Sequence, residues 1–333
     1  MRRVIVIVLA CAVSGCHGAA PPAPEAHVRL AIHRDPIAFL PVRAAAALGY
    51  FRDEHLDVDI TALTAGPKAV EALVGGSVDV AAASFSDAVL LSARRSGIVA
   101  FLLMSTRPLA AVAVAPGLDA SIHAIRDLEG RTIGVSAPGS ASHQILNFLL
   151  ASNGLAPGDV SVAAVGMSAT SLAALEHRKV DAAVLLASSI DAYEERHGAQ
   201  LFIADTRSVE GARQVFGSDT LPSMSFVAHA DWLRANAETA RRLARALHKG
   251  NRWVREQSPE RVRDLIPADA HLSSATVEIR AIQEMQDVLS ADGQVPPVSW
   301  GPIVAFVAAF DPTFRAADVD LKATYTGEFA PSK

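Results

Sequence analysis

The residues best suited to chemistry in this chain gather at one break in the pattern, Ser136-Ala-Pro-Gly-Ser140, with His143 just beyond it. Ahead of the break, Thr132 to Val135 is short, apolar and rich in β-branched residues; behind it, residues 145–150 form an apolar run of helical length. A strand, a tight turn and a helix opening are predicted, so free backbone N–H groups converge with serine hydroxyls at the turn. That combination binds a polar or anionic group without any catalytic side chain. Ser136, Gly139 and Ser140 are therefore the first candidates for ligand contact; their plainer role is turn formation with a serine as helix cap. His143, one turn into the helix, can donate to an anion or simply occupy the surface.

Other strand ends carry similar groups. Arg34 and Asp35 follow the first strand, where Arg34 is either an anion partner or a solvated cation. Phe39 either stacks on a flat ligand or joins the core. Ser84 and Ser86 follow the third strand, and Ser188 and Ser189 follow its later counterpart; they are ligand donors or helix caps. Thr64 and Gly66 close the second strand, where glycine permits close ligand approach or a turn.

Catalytic patterns fail on inspection. Gly134-Val-Ser-Ala-Pro-Gly139 is one residue longer than G-x-S-x-G, and Pro138 stands where the helix of a nucleophile elbow would begin. Eleven histidines form no H-E-x-x-H, and no C-x-x-C pair exists. Asp57-Val-Asp59 and Asp318-Val-Asp320 read as acidic strand edges. Neither G-x-x-x-x-G-K-[ST] nor G-x-G-x-x-G occurs. No metal, cofactor or nucleotide site is expected, and the chain reads as a receptor, not an enzyme.

The elements that position these groups start after a leader. Arg2 and Arg3 precede ten uncharged residues, 4–13, too few to span a bilayer, which takes about 20. Residues 1–15 read as a signal peptide. Its end, Val13-Ser-Gly-Cys16, resembles the bacterial lipobox, so Cys16 is expected to be lipidated, with residues 16–27 as anchor and tether. Cleavage there removes Cys11, leaving one cysteine and no intrachain disulfide. It also moves the formal charge from −5 to −7, which argues against a nucleic-acid partner. Half of the residues are hydrophobic, enough for a core in two lobes.

Strands are predicted at 28–32, 58–63, 78–82 and 99–105, with helices at 40–48, 67–74 and 85–96 between them and Gly49 and Gly97 as helix stops. The alternation restarts near 132–135, 160–165 and 182–186, implying mostly parallel sheets. A gapless shift of 102 residues aligns Arg29 with Arg131, Pro36 with Pro138, Asp57-Val58 with Asp159-Val160 and Val78-Asp79 with Val180-Asp181. Two similar α/β lobes sharing a cleft follow. The last third adds a strand at 223–229, a long helix at 237–257 with a solvated basic face, and helices near 259–266, 273–290 and 299–309 that pack on the first lobe.

Ala47-Leu-Gly-Tyr-Phe-Arg-Asp-Glu-His-Leu-Asp-Val58 and Glu71-Ala-Leu-Val-Gly-Gly-Ser-Val-Asp79 resemble two consecutive signatures of periplasmic substrate-binding proteins of ABC importers. Asp127-Leu-Glu-Gly-Arg-Thr-Ile-Gly-Val-Ser-Ala-Pro-Gly-Ser140 and Lys179-Val-Asp-Ala-Ala-Val184 are similar to the second-lobe signature. The subgroup serves nitrate, sulfonates, bicarbonate and thiamin-pyrimidine precursors, and the resemblance spans about residues 28–260. One departure stands out: Ala187-Ser188-Ser189 replaces a frequent Glu-Pro pair, so the cleft wall there should differ.

The resemblance implies a type II periplasmic-binding-protein fold, with 28–110 and 228–325 as lobe one, 111–227 as lobe two, and crossings near 109–116 and 221–227. It implies hinge closure around a small polar or anionic organic solute. It also implies an extracytoplasmic, lipid-anchored monomer that meets the membrane only through its anchor and delivers to an ABC permease and its ATPase. The rivals are an enzyme of thiamin-pyrimidine or menaquinone synthesis on the same fold, which a signal peptide disfavours, and a sensory accessory protein.

Overall fold

The computed structural model describes residues 25–331 apart from Pro36 and Leu272; the leader, Cys16 and most of the tether lie outside the described residues. Ten strands are β1 Ala26–His33, β2 Leu56–Leu63, β3 Val80–Ser84, β4 Ile98–Leu103, β5 Ala110–Val114, β6 Thr132–Val135, β7 Ser161–Ala164, β8 Ala182–Leu186, β9 Phe202–Asp205 and β10 Met224–His229. They form two five-stranded sheets, ordered β2-β1-β3-β10-β4 and β7-β6-β8-β5-β9. The two orders are the same pattern, each with one strand contributed by the chain after it crosses between lobes. That strand is the antiparallel one: β10 runs against β3 and β4, and β5 against β8 and β9. The α/β two-lobed expectation is met.

The crossings fall earlier than expected. The chain leaves the first sheet after Leu103 and enters the second at Ala110, and it returns between Asp205 and Met224. Boundaries at 110/111 and 227/228 therefore move, because β5 and β10 are complete strands of the lobes they enter. The alanine-rich β5, Ala-Ala-Val-Ala-Val, carries little β-preference of its own and becomes a strand because both its faces are buried. The crossing segments run side by side: Met104 N–H donates to Met224 O at 2.8 Å, Leu221 N–H to Thr106 O at 2.9 Å, and Thr206 N–H to Ala110 O at 2.8 Å.

The internal repeat is real in backbone terms but shifts by one residue. Leu30 pairs with Val80 in the first sheet and Ile133 with Ala182 in the second. The offset is thus 102 at the third strands and 103 at the first, and Ala31–Thr61 against Gly134–Ala163 repeats this. Arg29 therefore corresponds to Thr132, not to Arg131. The hydrogen bonds agree: the Asp79 carboxylate accepts from Arg29 N–H at 2.9 Å, and the Asp181 carboxylate from Thr132 N–H at 2.8 Å. Each aspartate locks the start of its strand to the neighbouring one.

Strand alternation sends Val28, Leu30 and Ile32 to a core under the long helix Ala237–Glu256, and Ala31 to the opposite face. Gly250 lets that helix touch Leu40–Ala47, since a Cβ there would lie 2.2 Å from Pro41 O. Its basic side is paired: Arg245 reaches Glu54 at 2.8 Å and Lys249 reaches Asp53 at 3.0 Å. The helix Trp300–Phe310 does not belong to lobe one alone. Phe306 packs on Phe148 and Phe216 of lobe two, with ring centroids 5.1 and 6.0 Å away. A shared core follows, running from β3 through this helix to β6. Helix Ala275–Val288 bridges likewise, with Arg280 bonded to Asp191 at 3.0 Å. Among the described residues, no helix is long and apolar enough to cross a membrane.

Candidate functional site

The carboxyl ends of the strands of both sheets face one another across a cleft, the place where open α/β sheets bind ligands. Lobe one supplies His33 and Asp35 after β1, Gly66 after β2, and Ser84 and Asp87 after β3. Lobe two supplies Ser136 and Ser140 after β6, Met167 after β7, and Leu186 and Ala187 at β8. The floor comes from the crossings, with Met104, Ser105, Arg107, Leu109 and Met224, and one side from Met285 and Val288. About 820 Å³ of empty space, open solvent included, lies within this lining.

Five sequence candidates line the cleft: Asp35, Gly66, Ser84, Ser136 and Ser140. The other eight do not. Arg34 and Thr64 are exposed and are not part of its lining. Phe39 is fully buried in the first core and meets His33 edge-on at 4.7 Å. Ser86 is buried and donates to Gln144 Oε1. Gly139 is exposed, with φ +76°, and its N–H donates to His143 Nδ1 at 2.9 Å. That bond turns the His143 ring back onto its own turn, where burial lowers its pKa. Ser188 is buried, with its hydroxyl unpartnered among the described residues. Ser189 lines a smaller cavity behind the cleft, together with Ser136 and Met167.

Ser140 is a helix cap that also lines the cleft, its Oγ accepting from His143 N–H at 3.4 Å. Asp35 works the same way on the first lobe, its Oδ1 accepting from Ile37 and Ala38 N–H at 2.9 and 2.7 Å. Burial raises the pKa of its carboxyl, and these two N–H groups oppose the rise. Where the family pair Glu-Pro is replaced, Ala187 adopts φ +41° and ψ −124°, a strained turn for a residue with a Cβ. Ala187 contributes a small apolar residue to the cleft wall.

Several cleft residues escaped the sequence reading. His33 is 8% exposed, its Nδ1 has no partner among the described residues, and burial pulls its pKa down to about 4. Arg107 is 7% exposed, donates from Nη2 to Arg207 O at 3.0 Å, and leaves Nε unpartnered. Gln144 joins the lobes, donating to Asp87 Oδ1 at 2.7 Å and accepting from Ser86. Of the five methionines in the sequence, all but Met1 line this one cleft. A count of methionines could have flagged them; nothing local could have brought them together.

No group of three or more His, Cys, Asp or Glu that could hold a metal occurs among the described residues. The cleft lining is made of hydrogen-bonding, methionine and apolar residues.

Comparison with known proteins agrees with this architecture. The family description "NMT1/THI5 like" matches residues 37–261. A solved structure from Bordetella bronchiseptica RB50 is 33% identical, covering 92% of this chain and 96% of that one, with a TM-score of 0.86. The alkanesulfonate-binding protein SsuA from Xanthomonas axonopodis pv. citri, bound to MOPS, has the same fold at 17% identity and a TM-score of 0.71, over 91% of this chain and 99% of that one. The riboflavin-binding protein RibY of Chloroflexus aurantiacus is 26% identical over 94% of this chain and 90% of the relative.

Proposed function

We propose, since the chain belongs to the NMT1/THI5-like family, that it is the extracytoplasmic solute-binding component of an ABC importer. It captures a small organic molecule with a flat, unsaturated body between its lobes and presents it to a permease and its ATPase. One observation carries the ligand reading: Met104, Met167, Met224 and Met285 all line a single interlobe cleft. Thioether sulfur is polarizable, adapts its rotamer and gains roughly 0.3–1.5 kcal/mol against an aromatic ring. The charge of the lining favours an uncharged solute over the anion that the sequence suggested. Asp35 and Asp87 stand there against one guanidinium, Arg107. The riboflavin named for the Chloroflexus relative is a solute of this kind, whereas the alkanesulfonate of the Xanthomonas neighbour is an anion.

The test is a thermal-shift screen followed by calorimetry with riboflavin, lumichrome, a 4-aminopyrimidine, taurine, nitrate and succinate. A ligand at 100 times its Kd stabilises by about 2.7 kcal/mol, which moves Tm by several degrees in a chain of this size. A response to the planar rings supports the reading. A response confined to taurine or nitrate overturns the ligand class, and turnover of any of these compounds overturns the receptor. Lipidation at Cys16 rests on the lipobox resemblance. Cys16→Ser should release the protein from the membrane fraction, and continued membrane association would refute the anchor.

A further inference from the structure

Helix Ala275–Val288 serves both lobes with two stripes. Ala281, Ile282, Met285 and Val288, at helical spacing, join the core of lobe one. Arg280, Glu284 and Asp287 form a second stripe and share the lining of an outer groove with Glu194, Asp205 and Arg207 of lobe two. The charged contacts in that groove therefore run across the line along which the lobes would part.

The two sides of the groove are unequal in charge. On lobe two the Arg207 guanidinium meets Asp191, Glu194 and Asp205 at 2.9, 2.6 and 2.7 Å, one cation against three carboxylates. The helix offers Arg280, bonded to Asp191 at 3.0 Å and to Glu194 at 3.2 Å. Beside it stands Glu284, 3.7 Å from Arg207 Nη1 and beyond hydrogen-bond reach. An ionised Glu284 cancels Arg280, whereas a protonated one leaves the helix a cation for the surplus of carboxylates. Asp191 has two guanidiniums at bonding distance and Glu284 has none, so the proton of the cluster belongs on Glu284. Burial and the Asp191 carboxylate push the Glu284 carboxyl up to about 8; Asp205 adds to the rise, and Arg207 and Arg280 oppose it. Of the remaining charges nearby, Asp287 acts on Arg107, Glu210 lies 3.9 Å from Arg213, and Glu195 accepts from Ser274 N–H at 3.2 Å.

We propose that Arg280 and Glu284 form a proton-linked latch between the lobes: with its proton, Glu284 lets the helix hold lobe two, and without it the hold weakens. Parting the lobes admits water to Glu284, which gives its proton to solvent as its pKa falls toward the ordinary 4.5. Closure takes the proton up again. The advantage of the closed state is complete below about pH 4.5 and is lost as pH rises through 8. The closed-to-open ratio should fall about tenfold between pH 7 and pH 9. This goes beyond the receptor reading and assumes nothing about the solute.

The experiment is small-angle scattering of the solute-free protein at pH 7 and pH 9, above the range near 6 in which Asp87 titrates. Because Gln144 also joins the lobes, it is carried out on wild type and on Gln144→Leu. The radius of gyration should be larger at pH 9 than at pH 7, most clearly in Gln144→Leu. Adding Glu284→Gln, which keeps the shape of the protonated side chain, should abolish the rise and hold the compact value at both pH values. Adding Arg280→Met should give the larger radius already at pH 7. Far-UV circular dichroism and Tm show that each variant is folded under these conditions. A radius independent of pH in both proteins, or a rise that survives Glu284→Gln, overturns the latch. Neither result touches the receptor reading, which solute binding tests.

Discussion

Gln144, on the second lobe, donates from Nε2 to Oδ1 of Asp87 on the first across 2.7 Å, while its Oε1 accepts from Ser86. Both ends of one buried amide thus reach the opposite lobe, and its Nε2 also donates to Gly139 O of its own lobe at 3.3 Å. The bonds connect the first turns of two helices, Phe85–Ala93 and Ala141–Ser152, that flank the cleft. They tie the two lobes directly to one another.

Gln144→Leu removes both interlobe bonds at similar volume. Two buried hydrogen bonds are worth about 1–3 kcal/mol together, enough to shift an open–closed equilibrium by tenfold or more. Small-angle scattering of the ligand-free variant should give a larger radius of gyration than wild type. An unchanged radius would show that the clasp does not govern closure.

Burial pushes the Asp87 carboxyl from its ordinary 3.8 up to about 6. The folded state therefore favours its protonated form. The stability this contributes is complete below about pH 4 and is lost as pH rises through 6. Asp87→Asn stays neutral and keeps an acceptor for Gln144, so it should melt a few degrees above wild type at pH 7.5. The gap should close as pH falls toward 4. Calorimetric scans at pH 4, 6 and 7.5 decide this; a gap of constant size across that range would contradict it.

Arg207 pairs with Asp191 at 2.9 Å, Glu194 at 2.6 Å and Asp205 at 2.7 Å, and Arg280 reaches the first two from the bridging helix. Asp191 is 1% exposed, and its Oδ2 has no partner among the described residues. Arg207→Met leaves that carboxylate undercompensated and should cost about 3 kcal/mol in urea unfolding. Adding Asp191→Leu should recover much of the loss. A single-variant cost below about 1 kcal/mol would mean that solvent already screens the cluster.

The four cleft methionines predict a chemical footprint. Oxidation turns an apolar thioether into a polar sulfoxide, so mild peroxide should weaken solute binding several-fold. Bound solute should slow oxidation of Met104, Met167, Met224 and Met285 together, as read by peptide mass spectrometry. Protection of none of the four would place the ligand elsewhere.

Strand and helix positions were legible because they depend on local signals. Val28, Leu30 and Ile32 alternate, Gly49 stops a helix with φ +78°, and the three-part motif around Ser136 opens Ala141–Ser152. The doubled lobe was legible too, though a gapless shift misassigned Arg29 by one residue, because lobe two is one residue shorter between its first two strands. β5 was missed because alanines carry no strand pattern. His143, whose ring accepts from Gly139 N–H in its own turn, and the exposed Arg34 are not among the residues that line the cleft.

By itself the sequence determined an alternation of strands and helices and a second copy of that alternation. Those properties reside in side-chain period, turn chemistry and short spacings, which operate over a few residues. Only the tertiary structure decided which strands invert, where the chain crosses, and that His33, Arg107 and four methionines share one space. The cleft draws on segments from His33 to Val288, and single polar or flexible residues carry no periodic signal. Their meeting is fixed by sheet order and by the helices shared between the lobes.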